Sequence, residues 1–159
     1  MAYNYGKKFE LKFKEDWKKS FSESFLHRLP DQVSGYITTS QNPCDFIGYI
    51  YPILFLIECK SVKGNTFPFS NLKQYERLLP YINFKGIAAG VVVWFQEHNK
   101  VVWVDISEIK KMKEDNKKSI NILKSKEEGY SIIEIPSTKK RVFLDSDYSI
   151  LYNVYYCRC

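Results

Sequence analysis

Between Pro43 and Ser61 the chain reads PCDFIGYIYPILFLIECKS, and no other stretch restricts the possible fold as much. Asp45 to Ile50 is apolar and aromatic, Tyr51-Pro52 has turn chemistry, and Ile53 to Lys60 is a continuous apolar run that stops at two charges. Two such runs predict a β-hairpin, and folding it about Tyr51-Pro52 sets position i opposite position 103 minus i. Asp45 then stands across from Glu58. Because side chains alternate faces along a strand, Glu58 and Lys60 emerge together with Asp45 opposite them, while Cys44 and Cys59 emerge on the other face. Facing carboxylates at the end of an apolar hairpin repel, which destabilises the pair unless something offsets it. A divalent cation does so.

An Asp followed thirteen residues later by Glu-x-Lys resembles the core of the PD-(D/E)xK nuclease superfamily. The flanking words NPCDF, IECKS and GNTFPFSNLKQYERL resemble, in this order, RecU-type Holliday-junction resolvases. The resemblance implies an α/β, restriction-endonuclease-like fold with a mixed central sheet flanked by helices. It implies that Asp45, Glu58 and the carbonyl of Cys59 hold Mg2+, with Mn2+ able to substitute, and that Lys60 positions or deprotonates the attacking water. Gln74 would be aimed at the metal-bound water, and Glu10 would reach the site from the first helix, as in archaeal resolvases. The substrate implied is branched DNA, a four-way junction cut on two strands by a homodimer. One feature departs from the bacterial members: about a dozen residues separate the first helix from Asp45, too few for their projecting stalk.

Each of these residues also has a plainer reading. Glu10 suits a helix N-terminus on the surface, and Asn71 with Gln74 three residues later is a capping-box pattern. Arg77, one turn beyond Gln74, is a candidate phosphate contact. Two further functions stay open: a PD-(D/E)xK nuclease acting on ordinary duplex or flaps, and a non-catalytic DNA-binding protein in which Asp45 and Glu58 are incidental.

A chain of 159 residues fits one domain with its own core. Its net charge of +6 favours anionic partners. Lys12, Lys14, Lys18 and Lys19 on the first helix, Lys63, and the cluster Lys139, Lys140 and Arg141 are candidate DNA contacts, set against the ordinary reading of a charge run as a solvated face. With no signal-peptide pattern and no apolar run of spanning length, a cytoplasmic protein without membrane association is expected. Cys44, Cys59, Cys157 and Cys159 follow neither a disulfide-framework nor a zinc-module spacing, and Cys44 and Cys59 read as small apolar residues sharing a core face. His27 and His98 are too isolated to support histidine acid–base chemistry.

For the remaining elements, Phe9, Phe13, Trp17, Phe21 and Phe25 recur every fourth residue and predict one helix from Gly6 to Arg28, ended by Leu29-Pro30. A short strand is expected around Tyr36 to Thr39, then a helix from Asn71 to Tyr81. Gly86 to Phe95 and Lys100 to Ile106 predict an antiparallel pair of buried strands, and Ser107 to Lys118 a basic helix capped by Asp105 or Ser107. Residues 120–130 read as helix or loop, residues 131–135 as an edge strand, and the Tyr-rich tail from Tyr148 to Tyr156 as helix or strand packed on the domain. The aromatic face of the first helix and this tail offer apolar surface for a symmetric interface.

Overall fold

Helix α1 (Tyr5–Ser20) opens the computed structural model, which describes residues 4–30 and 41–157. The Asn4 side chain accepts from the Lys7 amide at 3.1 Å, so one of the orphan donors of the first turn is satisfied. Phe9, Phe13 and Trp17 from α1 are buried. The helix does not run on to Arg28. It stops at Phe21, whose backbone is extended, and Phe25–Arg28 form strand β1. Ser20, Ser22 and Ser24 crowd this point, and hydroxyls that bond nearby carbonyls compete with helical pairing: Ser20 Oγ donates to the Asp16 carbonyl and Ser24 Oγ to that of Phe21. The four-residue aromatic spacing outlasts the helix, since Phe21 still packs on Trp17 while Phe25 is exposed.

The hairpin forms as β2 (Phe46–Ile50) and β3 (Ile53–Val62), with Phe46 opposite Ile57 and Ile50 opposite Ile53, the expected register. The chain continues through the short β4 (Thr66–Pro68) and α2 (Tyr75–Leu78) to β5 (Ile87–Phe95), which lies parallel to β3. A parallel neighbour requires a crossover, and residues 63–86 supply it on one face of the sheet. Next come β6 (Lys100–Asp105), antiparallel to β5, α3 (Ile106–Glu114), capped by Asp105, and β7 (Ser119–Asn121) beside β4. Edge strand β8 (Ile133–Ile135) pairs with β6, β9 (Ser137–Lys139) and β10 (Leu144–Ser146) form a separate hairpin, and α4 (Ser149–Tyr156) closes the chain. The main sheet runs β1-β2-β3-β5-β6-β8, a mixed sheet with helices on both faces, as the resemblance implies. The strand expected around Tyr36 to Thr39 lies outside the described residues.

Covered on both faces, β3 and β5 must be apolar on both, which explains their unbroken hydrophobic runs. On one face α1 and α4 bury Phe13, Trp17, Phe46, Phe55, Ile57, Cys59, Trp103 and Tyr148. On the other, the crossover and α3 bury Cys44, Leu56, Phe67, Leu78, Val93 and Ile109. Cys44 and Cys59 therefore do not share a face: regular pairing of β2 begins only at Phe46, which releases Cys44 to the opposite core. The aromatic face of α1 is likewise consumed inside the molecule and leaves nothing for an interface. Among the described residues no helix is long and apolar enough to cross a membrane.

Candidate active site

Beyond the last β2–β3 pair the two strands diverge, and Asp45 and Glu58 meet at that mouth. The Asp45 amide donates to the Ile57 carbonyl at 3.1 Å, while its Oδ2 accepts from the Cys59 amide at 2.8 Å. The acid is thus fixed to the strand it faces. Backbone parity places a third group there. Leu54 donates from its amide to β5 and Val62 accepts from Gln96 on that same side, so even-numbered residues of β3 point their peptide groups at β5. Odd-numbered residues point theirs at β2, and beyond Phe46 the carbonyl of Cys59 has no β2 residue opposite it. It opens on the side of Asp45.

Glu58 is fully buried, and among the described residues neither carboxylate oxygen receives a hydrogen bond of good geometry. Lys60 Nζ approaches Oε1 to 2.6 Å, an ion pair whose angles fall outside those of a directed hydrogen bond. Burial above all, then the charge of Asp45, pushes the Glu58 carboxyl up to about 7, with Lys60 pulling the other way and Glu10 adding a small upward push. A buried carboxylate with no donor is costly as it stands. It fits a cation. Among the described residues no three His, Cys, Asp or Glu side chains converge as a ready cluster; the two carboxylates and a carbonyl are oxygen donors of the kind hard divalent cations take. The Cys59 side chain is buried in the core under α1 and α4, on the other face from Glu58, which leaves its carbonyl as the group of that residue able to contribute.

From α1, Glu10 reaches this end of the sheet, where its charge is felt at both Glu58 and Cys59. Its Oε2 accepts from Arg28 Nε at 3.0 Å and Nη2 at 2.7 Å. Arg28 pairs with Phe46 across β1 and β2, one residue from Asp45. Sequence reasoning missed Arg28 by placing it inside the first helix; the serine-rich break followed by the β-compatible Phe25-Leu26-His27-Arg28 was the available signal. Gln74 lies on the Glu58 face. The expected helix from Asn71 to Tyr81 is instead a 3-10 turn (Phe69–Asn71), the single turn of α2 and a second 3-10 stretch (Leu79–Asn83) containing Pro80, which cannot donate to a helical ladder. The capping box is absent: Gln74 precedes α2 with no side-chain cap bond, and its Oε1 is buried without a partner.

The basic residues divide. Lys12 is occupied internally, bonded to the buried Asp16 and, at 2.7 Å, to Asp145, so it fastens α1 to β10. Arg77 donates to the Asn42 carbonyl at 2.9 Å and to Gln41. Lys19 lies 3.9 Å from Asp16, and Lys140 3.6 Å from Asp145. Lys18, Lys63, Lys139 and Arg141 are exposed, and Lys14 lines a cleft with Glu10, Arg28 and Phe46.

Two opposed acids, a lysine two residues along the same strand and a carbonyl at their shared edge form the constellation that defines the PD-(D/E)xK class. Residues 22–144 match the family model for Recombination protein U, RecU. This chain belongs to the RecU family. Over 103 residues it is 32% identical to the Holliday junction resolvase RecU of Mycoplasmopsis pulmonis (strain UAB CTIP), a match covering 64% of this chain and 63% of that protein, so it spans less than two thirds of this relative. The solved structure of Archaeoglobus fulgidus Hjc, a Holliday junction resolvase from an archaeal hyperthermophile, aligns over 65% of this chain and 78% of that one, with a TM-score of 0.48 and 18% identity.

Proposed function

We propose that this chain is a divalent-metal-dependent endonuclease that resolves four-way DNA junctions by paired phosphodiester cuts, acting in the cytoplasm as a homodimer. The observation that carries this reading is Glu58: fully buried, opposite Asp45, with Lys60 against one oxygen and, among the described residues, no hydrogen-bond partner for the other. RecU family membership supplies the substrate class.

In this reading Asp45, Glu58 and the Cys59 carbonyl hold Mg2+, with Mn2+ able to take its place. The bound cation would lower the pKa of its water and offset charge on the phosphate. Lys60 would orient the nucleophile from beside Glu58, and Gln74 Oε1 would accept a hydrogen bond from the same water. Glu10, steadied by Arg28, adds negative charge at this end of the sheet from outside the pair of acids. Lys14, Lys18, Lys19, Lys63, Lys139, Lys140 and Arg141 meet phosphates, and Arg77 does so only by releasing its bonds to Asn42 and Gln41.

Incubation with labelled four-way junction, duplex and flap DNA, with and without Mg2+, tests this directly. Symmetric cuts in the junction alone, dependent on metal, are expected. Preferential cutting of duplex or flaps would replace the junction reading with that of another nuclease of the class, one for which the missing stalk is no obstacle.

A further inference from the structure

Outside this site, one surface combines a cleft, an apolar wall and a concentration of positive charge. It lies between the β4 segment and the end of α3, a cleft of about 590 Å³ lined by Pro68, Phe69, Lys113, Asn116, Lys117 and Lys118. Its shape is built into the fold. Asn116 takes a left-handed conformation with φ 60°, and its amide donates to the Lys113 carbonyl at 3.0 Å while that of Lys117 donates to Met112 at 2.8 Å. This closes α3 and turns the chain back, bringing Lys117 and Lys118 beside Lys113. The Phe69 amide then donates to the Lys118 carbonyl at 2.9 Å, and Pro68 pairs with Ser119, so the apolar wall is bonded to the basic rim.

The cleft is also tied to the candidate active site. Lys113 Nζ sits 3.9 Å from the centroid of the Tyr75 ring, and Tyr75 directly follows Gln74. Lysines in a last helical turn suit the helix dipole without any partner. That explanation does not account for Lys118, which lies beyond the helix, or for an aromatic wall facing the charges. Lys117 is shared with Glu128 at 2.9 Å, while Lys113 and Lys118 are exposed.

We propose that this cleft is a second DNA-backbone contact, in which Lys113, Lys117 and Lys118 meet successive phosphates and Pro68 and Phe69 face the deoxyriboses of the arm leaving the cut strand past Gln74. The inference rests on the proposed nuclease function and assigns to it a surface on the opposite side of the sheet from α1.

The test is junction affinity as a function of NaCl for the wild-type chain and for Lys113→Gln/Lys117→Gln/Lys118→Gln, with cleavage measured at saturating DNA. Loss of two to three phosphate contacts should flatten the salt dependence, so that the wild type loses roughly 10- to 40-fold more affinity than the variant between 50 and 200 mM salt. Cleavage at saturating DNA should remain measurable, because none of the three is Asp45, Glu58 or Lys60. Lys118→Gln alone, at an exposed position, provides the same reading if the triple variant misfolds, with a slope change of about one. An unchanged slope in a wild-type chain that still cuts junctions would overturn this contact and leave the nuclease reading intact. A chain that cuts nothing yet shows the slope difference would do the reverse.

Discussion

Glu58 and Asp45 are held against each other by backbone geometry, so removing one charge changes both chemistry and stability. Glu58→Gln should abolish cleavage while junction affinity stays within a few-fold, since a metal ligand and not a phosphate contact is lost; retained cleavage would move the site elsewhere. The same substitution has a sign that can be worked out without DNA. A carboxyl raised from 4.5 to about 7 in the folded chain ionises first in the unfolded chain, so the metal-free protein should lose stability as pH rises across that interval and change little above it. The loss is of order 3 kcal/mol, and the difference between wild type and Glu58→Gln in urea melts across this range isolates it. Added Mg2+ should offset the loss at the upper end of the range. Lys60→Ala should slow cleavage about 10²- to 10⁴-fold with binding retained. Lys12→Gln should behave differently from changes at its neighbours: it strands the buried Asp16 and should destabilise the fold by roughly 3 kcal/mol, visible in thermal melts, with little effect on the salt dependence of DNA binding.

At the scale of elements, the hairpin was legible because two apolar runs flank a single turn at Tyr51-Pro52, which fixes their pairing, and the charged residues at their far ends mark where that pairing stops. Strands β5 and β6 and the cap at Asp105 were legible for similar reasons. The first helix was not, because the aromatic spacing that marks its buried face continues past its end and masks the serine-rich break that separates the buried Trp17 from the exposed Phe25. The crossover misled for the opposite reason. Its capping-box pattern is real as a sequence, but Pro80 and the pairing of Pro68 with Ser119 divide the segment into short turns. For the site, Asp45, Glu58 and Lys60 followed from the register, whereas Arg28 depended on a helix boundary. The sheet itself offers a check. A Cβ at Gly90 would lie 2.3 Å from Trp103 Cζ2, deep in the core, so Gly90→Ala should cost at least 1–3 kcal/mol, measured by chemical denaturation.

For the whole molecule, the proposed function requires one site per chain to serve a two-fold symmetric substrate. With the aromatic face of α1 buried, exposed apolar surface for a dimer remains around β1 and the β2–β3 turn, where Phe25 is 58% exposed, Tyr49 42% and Tyr51 77%. Light scattering at micromolar concentration should give a dimer, and Phe25→Glu should shift it towards monomer and convert paired cuts into single nicks. The parity of β3 has a consequence beyond geometry. Glu58 and Lys60 belong to the set of residues whose peptide groups lock into β5, between the two cores. Their amides should therefore exchange with deuterium only when the entire protein opens, among the slowest in the chain. A form that keeps the central strands should therefore keep Glu58 and Lys60 in place, so on heating the burial of Glu58 and the tertiary structure should be lost in one transition.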